Sequence, residues 1–358
     1  MRERDRGQAL AGKSTLNRLE LTRAVVEAKE RYQKIAMDQG AVDRLLVEIF
    51  LEAEEEPPAE IILDLDATDD PVHGHQEGRF FHGYYGHYCH LPLYLFCGDF
   101  LLCARLRPSN LDASAGCVEE LARIVAQIRE AWPQVKITLR GDSGFCRAEL
   151  MAWGEQEGVD YVWGLAKNER LKAEIVREQG QAAARYARTG KPTRVFKEFS
   201  YQPRESWSRA RRVVAKAEHL EKGANPRFVV TSLSPAAWEA RALYEELYCA
   251  RGEMENRIKE QLMLFADRTS TAFLRSNQNR LYFSSLAYLL VEALRRLGLR
   301  QTDLAQAQVS TIRLKLLKIG ALIRITVRQG WVSLAGGYPD AELFARVYAA
   351  LQAIPLRC

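Results

Sequence analysis

The sequence lacks any run of apolar residues long enough to cross a membrane. Its longest apolar stretch, from Leu281 to Leu294, is interrupted by Ser284, Ser285 and Glu292, whereas a spanning helix needs about 20 apolar residues. The opening residues, MRERDRGQ, have no apolar run behind their charges, which argues against a secretory signal. We therefore expect a cytoplasmic protein with no membrane as partner.

A disulfide framework is also missing, because the seven cysteines are odd in number and have no repeated spacing. Reduced thiols in the cytoplasm explain them better. Cys97 and Cys103 lie on predicted strands, where we expect small core residues rather than metal ligands. Internal repeats and low-complexity tracts are absent as well. What remains is an ordinary globular chain, long enough for one large domain or two smaller ones.

No single sign of charge dominates the chain, whose 51 basic and 46 acidic residues leave a net charge of +5. The basic residues are nevertheless grouped, with one cluster between Arg185 and Lys216 and another between Arg295 and Arg328. Such clusters can neutralise phosphates, and they can equally be the solvated faces of a soluble protein. Charge alone leaves both interpretations open.

Hydrophobic periodicity predicts an α/β domain in the first half of the chain. The order is strand, strand, strand, helix, strand, helix, strand, at 61–66, 91–97, 100–105, 114–132, 135–139, 149–157 and 160–165. This order is typical of a ribonuclease-H-like mixed sheet flanked by helices. In that arrangement the first and fourth strands lie side by side.

These patterns divide the chain into five predicted regions. They are an N-terminal helical segment (1–58), the first part of the core (59–167), a mostly β insertion (168–235), the second part of the core (236–298) and a C-terminal helical region (299–358). The second part of the core begins with a long helix from Pro235 to about Phe265. The insertion carries the first basic cluster.

Three acidic residues stand where such a sheet collects functional groups. Asp66 ends the first strand and Asp142 follows the fourth, with Asp64 as the alternative first acid because it shares a strand face with Asp66. Glu255 lies on the long helix. Its helix face also carries three residues at spacings of three and four, namely Tyr248, Arg251 and Lys259. An amphipathic helix with ordinary salt bridges is the alternative explanation of that face.

Three carboxylates suit a divalent cation and a phosphate substrate. Mg²⁺, or Mn²⁺ in its place, prefers oxygen ligands. Two such ions about 4 Å apart can activate the attacking oxygen and stabilise the leaving oxygen at phosphorus. Arg251 and Lys259 would then hold phosphate oxygens. No serine or tyrosine nucleophile motif competes with this interpretation.

Two other motifs offer rival sites. A phosphate-binding loop pattern is met by Gly7, Gly12, Lys13 and Ser14, but the buried strand that should precede it is missing. A zinc site is suggested by the histidines and the cysteine within residues 73–90, although they lack paired ligand spacing. The aromatic residues between them favour instead a loop that stacks on unpaired bases, or a loop packed beside the sheet.

Three segments resemble bacterial DDE insertion-sequence transposases, closest to the insertion-sequence family thirteen-eighty. They are LDLDATDDPVHGHQEGRFFHGYY, LRGDSGF and LYCARGEMENRIKEQ, and the resemblance extends over most of the chain. That group places its last acid in a pattern of Tyr, two residues, Arg, three residues and Glu, which Tyr248, Arg251 and Glu255 satisfy. A lysine expected seven residues after the Glu falls on Leu262, and Lys259 is the candidate substitute.

The resemblance implies a DDE transposase with Asp66, Asp142 and Glu255 as catalytic and metal-binding residues. It implies binding to the terminal inverted repeats and target DNA, with Arg211 and Arg212 among the contacts to DNA or to a second subunit. It also implies a homodimer that pairs two DNA ends, and association with the nucleoid. Family members usually have a longer N-terminal region, so we expect a truncated copy. A metal-dependent nuclease of the same fold and a non-autonomous DNA-binding remnant are the alternatives.

Overall fold

The computed structural model describes residues 37–354, which fall into two units. The first, here called the sheet unit, contains the described residues up to Asn256 together with 269–282. The second, here called the C-terminal unit, contains 257–268 and the described residues from Phe283 onward. The predicted phosphate-binding loop and most of the predicted N-terminal helical segment lie outside the described residues.

The strands and helices of the sheet unit follow in chain order. The strands are β1 (Glu60–Ala67), β2 (Asp70–Pro71), β3 (Phe80–His82), β4 (His87–His90), β5 (Leu93–Cys97), β6 (Phe100–Arg105), β7 (Lys136–Gly141), β8 (Asp160–Leu165), β9 (Thr193–Tyr201), β10 (Arg211–Leu220), β11 (Gly223–Ala224) and β12 (Arg227–Thr231). The helices are α1 (Gln39–Ala53), α2 (Cys117–Ala131), α3 (Ala148–Glu157), α4 (Glu169–Glu174), α5 (Val176–Thr189) and α6 (Ala240–Ala242).

The remaining chain is largely helical. Its elements are a π-helical turn (Leu243–Tyr248), a 3₁₀ turn (Cys249–Arg251), α7 (Gly252–Leu262), α8 (Leu274–Leu294), a second π turn (Arg295–Leu299), α9 (Val309–Ile312), a third π turn (Arg313–Leu317), β13 (Ala321–Ile325), β14 (Gly330–Leu334) and α10 (Ala341–Gln352). None of the helices described here is long and apolar enough to span a bilayer.

Nine strands of the sheet unit form one mixed sheet in the order β11-β10-β12-β8-β7-β1-β5-β6, with β9 beside β10. β7 is parallel to both β1 and β8, and the other pairs are antiparallel. The predicted neighbourhood of the first and fourth strands is therefore confirmed, with Asp64 opposite Arg140 and Leu65 opposite Gly141. The carboxyl ends of β1 and β7 meet at one edge.

The core explains why these segments take these forms. Alternate residues of β1, including Leu63 and Leu65, are fully buried. Helix α2 presents Leu121, Ile124 and Ile128 at helical spacing to the same core. Its N-terminal turn carries two glutamates, which suits the positive end of a helix. The seven elements predicted between residues 61 and 165 are all present, and the mixed α/β class is confirmed.

The region 168–235 does not form a sheet of its own. β12 pairs antiparallel with β8, and β10 and β9 follow outward, so the strands extend the edge of the main sheet. Helices α4 and α5 belong to the same region. An open edge at β8 offers unpaired backbone groups, which the strands of this region satisfy.

The C-terminal region 299–358, predicted to be helical, contains helices and also two strands. Residues from Ala321 to Leu334 form the antiparallel hairpin β13–β14. The physical reason is local, because β-branched residues such as Ile323, Ile325 and Val332 favour extended backbone. The predicted long helix is also modified, since a π turn and a 3₁₀ turn precede α7. The C-terminal unit has a small apolar core of its own.

Candidate active site

Asp66 and Asp142 lie at the same edge of the sheet. Asp64 and Arg140 are opposite one another in the parallel pair of β1 and β7, so the same register brings Asp66 and Asp142 to neighbouring positions on the same face. The Asp142 carboxylate accepts a hydrogen bond from the backbone N–H of Gly144 at 2.7 Å. That of Asp66 accepts one from Ala67 at 2.9 Å. Both carboxylates are thus held by backbone donors.

The helical stretch that carries Glu255 packs on the sheet through an apolar face. Leu243, Tyr244 and Leu247 are buried against strand residues that include Val162 and Val229. The π-helical turn that contains these three leads directly to the 3₁₀ turn and α7. Single-turn π segments are frequent at functional sites because they shift the helix face by one residue. Here the shift directly precedes the residues with predicted roles.

Tyr248 can approach strand β8, close to Asp142, because residue 164 of that strand is a glycine. A Cβ atom at Gly164 would lie 2.5 Å from the Tyr248 hydroxyl and 2.9 Å from the backbone nitrogen of Ser143. Contacts this short are not tolerated, so a larger residue would displace either Tyr248 or the Asp142–Ser143 turn. The sequence pattern did not single out Gly164.

Charge interactions connect the three predicted acids. Burial raises the pKa of Asp66 to about 6, Arg251 opposes this, and the negative charges of Asp142 and Glu255 add to it. The guanidinium of Arg251 donates to Glu255 at 3.1 Å. Burial lowers the pKa of Arg251, but Asp66, Tyr248, Asp142 and Glu255 together raise it above its usual value. Arg251 is therefore the cation among these acids.

Asp64, the alternative first acid, is occupied elsewhere. Its carboxylate forms a buried bidentate ion pair with Arg140, at 2.5 and 2.7 Å. Burial raises the pKa of Asp64 although Arg140 lowers it. Arg140 also donates to the carbonyl of Leu247 at 2.6 Å. Arg140 thereby ties β1, β7 and the π-helical turn together, whereas the Asp66 carboxylate accepts its hydrogen bond from the backbone of Ala67.

A cavity of about 420 Å³ opens beside Asp142, Tyr248 and Arg251. Two exposed cations, Lys167 and Arg227, also line it. No ion pair of either side chain is found among residues 37–354. Sequence reasoning missed both, since each is isolated in the chain and only the β8–β12 pairing brings them together. The cavity thus places three cations, Lys167, Arg227 and Arg251, beside Asp142, and cations form charge-assisted hydrogen bonds with phosphate oxygens.

The remaining predicted residues lie away from these acids or stay exposed. Arg211 is buried and forms a bidentate pair with Glu155 at 2.7 and 3.0 Å. Arg212 pairs with Glu198 and also donates to two backbone carbonyls. Lys259 is exposed on α7, one turn after Glu255. The structure therefore brings together Asp66, Asp142, Glu255, Tyr248 and Arg251.

No three His, Cys, Asp or Glu side chains in the described part of the chain form a ready metal-binding group. His87 pairs with Asp69 at 2.8 Å and His90 with the carbonyl of Glu77 at 2.9 Å, so the zinc alternative gains no support. Asp66, Asp142 and Glu255 offer the oxygen donors that Mg²⁺ prefers. Their mutual repulsion, with Arg251 as the cation near them, is the charge pattern that a divalent cation would relieve.

Asp66→Asn should stabilise the protein at neutral pH. The pKa of Asp66 in the folded state, about 6, exceeds the reference value of 3.8. At a pH between these two values, Asp66 is therefore protonated in the folded state and ionised in the unfolded chain. The stability that protonated Asp66 contributes at low pH is therefore lost as the pH rises through this range. The variant escapes that loss, and its gain at pH 7 should reach at most about 3 kcal/mol. Urea unfolding in EDTA measures it.

The same comparison at pH 4 serves as the control, because wild-type Asp66 is then largely protonated in the folded state. The advantage of the Asn variant should nearly vanish there. An equal difference between the two proteins at pH 4 and pH 7 would show that the carboxylate is not destabilised by its surroundings.

The fold and the charge distribution define a mixed α/β protein with an acidic centre, flanked by cations, at one edge of its sheet. Residues 1–356 match the family model described as Transposase DDE domain group 1. The chain therefore belongs to this family of DDE transposases, enzymes that act on DNA. A comparison with curated proteins finds no match.

Proposed function

We propose that this transposase cuts and joins DNA at the ends of an insertion sequence of the family thirteen-eighty kind. The observation that carries the proposal is the meeting of Asp66, Asp142 and Glu255 around Arg251 at the carboxyl edge of β1 and β7. These acids come from three separate regions of the chain and interact electrostatically with one another. An ordinary salt bridge on the surface of the helix would not need to bring all three together. The family membership supports the same conclusion.

We further propose a ribonuclease-H-like core. Its support is the central strand order β6-β5-β1-β7-β8, with β5 antiparallel and β7 and β8 parallel to β1 as the chain runs. Functional groups collect at the carboxyl ends of parallel strands in such open sheets. Asp66 and Asp142 are placed at those ends.

Asp66, Asp142 and Glu255 would hold Mg²⁺, with Mn²⁺ as a substitute. When bound, the metal would supply activation of the attacking oxygen and neutralisation of charge at phosphorus. The backbone hydrogen bonds to Asp66 and Asp142 orient their carboxylates in advance. Glu255 is paired with Arg251 in the structure. Arg251 would exchange this partner for a phosphate oxygen when DNA binds.

The cations around the cavity would position the DNA backbone. Lys167, Arg227 and Arg251 line the side that contains Asp142, and charge-assisted hydrogen bonds to phosphate oxygens fix register without reading sequence. Tyr248 adds a phenol at the same wall. Lys259, one turn beyond Glu255, is proposed to contact DNA as well. Arg211 and Arg212, which form ion pairs within the chain, are proposed as DNA contacts only where a bound backbone displaces Glu155 or Glu198.

The substrate is proposed to be double-stranded DNA that carries the terminal inverted repeats, and then the target DNA. Two ends must be joined to one target, so a homodimer in a synaptic complex is the proposed active form. Each phosphodiester would be attacked in line by an oxygen nucleophile, first water and then the freed 3′-hydroxyl. No covalent link to the protein is required for either step.

The test is a strand-transfer assay with a pre-cut element end and a supercoiled plasmid as target. A transposase should join the 3′-hydroxyl of the end to the plasmid in the presence of Mg²⁺. A nuclease of the same fold would nick DNA but leave the end unjoined. A DNA-binding remnant would shift the end on a gel and neither nick nor join it with Mn²⁺. Either of the last two results would contradict the proposal.

A further inference from the structure

A three-stranded sheet separate from the main sheet lies directly after Asp66. It has the order β2-β4-β3, spans Asp70 to His90, and is here called the aromatic lobe. The β4 residues Cys89 and His90 are fully buried. Other parts of the lobe expose large aromatic rings to solvent. Phe81 is 59% exposed and Tyr84 87% exposed.

The lobe is firmly attached to the rest of the sheet unit. Gln76 donates to the carbonyl of Thr269 at 2.7 Å, and the backbone N–H of Glu77 donates to Ala272 at 2.9 Å. The hydroxyl of Ser109 bonds the carbonyl of Phe80 at 3.0 Å. Rings on such a support lose little conformational entropy when they bind a ligand, which favours a preformed binding surface.

The exposed rings are arranged edge to face rather than packed into a core. Phe81 and Tyr88 meet at 5.7 Å with an interplanar angle of 75°. Tyr84 and Tyr85 meet at 5.0 Å and 85°. Edge-to-face contact covers a face of only one ring in each pair, and a face that stays open can stack on a planar partner. The guanidinium of Arg79 lies 4.7 Å from the centroid of the Tyr88 ring and adds a fixed positive charge.

One tyrosine connects this surface to the catalytic edge. The hydroxyl of Tyr85 donates to the carbonyl of Ala67, the neighbour of Asp66, at 3.3 Å. The ring of Tyr85 contacts Tyr84 on one side and His82, at 4.8 Å, on another. Tyr84 therefore directly precedes Tyr85, whose hydroxyl contacts the backbone of Ala67 beside Asp66.

We propose that the aromatic lobe is a binding subsite for unpaired nucleotides next to the phosphodiester that reacts. The rings of Tyr84 and Phe81 stack on bases and Arg79 contacts the strand's phosphates. Stacking suits any base, because every base has an aromatic face. Rigid paired DNA would offer only base edges and backbone to these rings. This proposal rests on the proposed transposase function. It identifies the surface that binds a DNA strand separated from its complement.

Binding of full-length protein to two probes tests this subsite in EDTA, where no cleavage occurs. One probe is a 16-nucleotide single strand that contains 2-aminopurine, and the other is the same strand in a blunt duplex. Tyr84→Ala should weaken single-strand binding roughly 10- to 100-fold and abolish the quenching of 2-aminopurine by stacking. Tyr84→Phe, which keeps the ring, should bind within about twofold of wild type. Duplex binding should change less than about twofold in both variants.

Tyr348→Ala is the matched control, because Tyr348 is also an exposed tyrosine, at 58%, and lies on α10. It should leave both probes unaffected. Equal behaviour of Tyr84→Ala and Tyr348→Ala on the single strand would overturn the subsite. So would a loss of equal size on duplex, which would indicate contact with paired DNA, or a change in oligomeric state, which would indicate a second copy of the chain.

The outcome is separable from that of the proposed function. Loss of single-strand binding in Tyr84→Ala, with a wild-type protein that does not cleave or join DNA, would support the subsite and contradict the transposase chemistry. Normal quenching by Tyr84→Ala, with a wild-type protein that does join DNA, would contradict the subsite alone. Thermal unfolding of each variant verifies that the substitutions leave the fold intact.

Discussion

Asp142→Asn should lower Mg²⁺-dependent strand cleavage by about 10³-fold or more while the protein still folds and binds DNA. The carboxylate accepts a hydrogen bond from Gly144 at the edge of the sheet near which Asp66 also lies, and it is a proposed metal ligand. Metal ions supply several kcal/mol to phosphoryl transfer, and each 1.36 kcal/mol is a factor of ten in rate. Glu255→Gln should show a loss of similar size. A gel assay of cleaved element ends measures both.

Glu253→Gln is the control for the helix, since it removes one charge from α7 only two residues before Glu255. Positions two apart on a helix point to different sides. Glu253 is also exposed, so this variant should cleave within a few fold of wild type. Full cleavage by Asp142→Asn, or equal losses in Glu253→Gln and Glu255→Gln, would exclude the assignment of these acids to catalysis.

Arg140→Met should be the most destabilising single substitution near the site, at about 3–5 kcal/mol. It removes the partner of Asp64 and leaves that carboxylate buried without a counter-charge. It also deprives the carbonyl of Leu247 of its donor. A buried charge without a partner is far more costly than the pair itself is worth. Urea unfolding at pH 7 measures the change in the free energy of unfolding.

Two variants verify the cause of this loss. The double variant Asp64→Leu with Arg140→Met should recover most of the stability, because an apolar pair replaces an ion pair at little cost. Arg129→Met removes a pair with Glu157 that is 3.9 Å long and half exposed. It should cost less than about 1 kcal/mol. A loss for Arg140→Met no larger than this would show that the buried pair does not hold the helix to the sheet.

The site combines a destabilised carboxylate, Asp66, with a stabilising buried ion pair between Asp64 and Arg140. Burial of the Asp66 carboxylate, with smaller contributions from the negative charges of Asp142 and Glu255, raises its pKa and disfavours its charged form at the centre of the site. The pair of Asp64 and Arg140, two residues earlier on each strand, holds the same strands and the π-helical turn together. Enzymes commonly accept such local instability where activity needs it. Asp64 thus contributes to stability, and Asp66, two residues later on the same strand, is the proposed metal ligand.

Much of the sheet unit was predictable because its elements have clear local periods. The alternation from Ile61 to Asp66 and the helical spacing of Leu121, Ile124 and Ile128 are visible in the sequence, and each matches an element. Short strands are harder to predict. β2, β3 and β4 contain two to four residues each, too few to show a period, and they form the aromatic lobe. The C-terminal hairpin was missed next to strongly helical sequence.

The sequence also offers the three acids as candidates, since strand ends and helical spacing are local properties, and their catalytic role stays a prediction. The choice of Asp66 over Asp64 was not settled by the same means, because both lie on one strand face. The register between β1 and β7 favours Asp66, because it places Arg140 opposite Asp64. These two residues are 76 positions apart in the chain. Register over such a distance follows from the packing of the whole sheet.

The sequence by itself determined the order of the seven longer strands and helices between residues 61 and 165 and marked Asp66, Asp142 and Glu255 as candidates, because periods of 2 and 3.6 residues are set by neighbours in the chain. The tertiary structure alone decided which charges are free. It turned Arg211 and Arg212 toward glutamates and placed Lys167 and Arg227 at the cavity. The reason is that a charged side chain takes the nearest partner in space, which distance along the chain does not reveal.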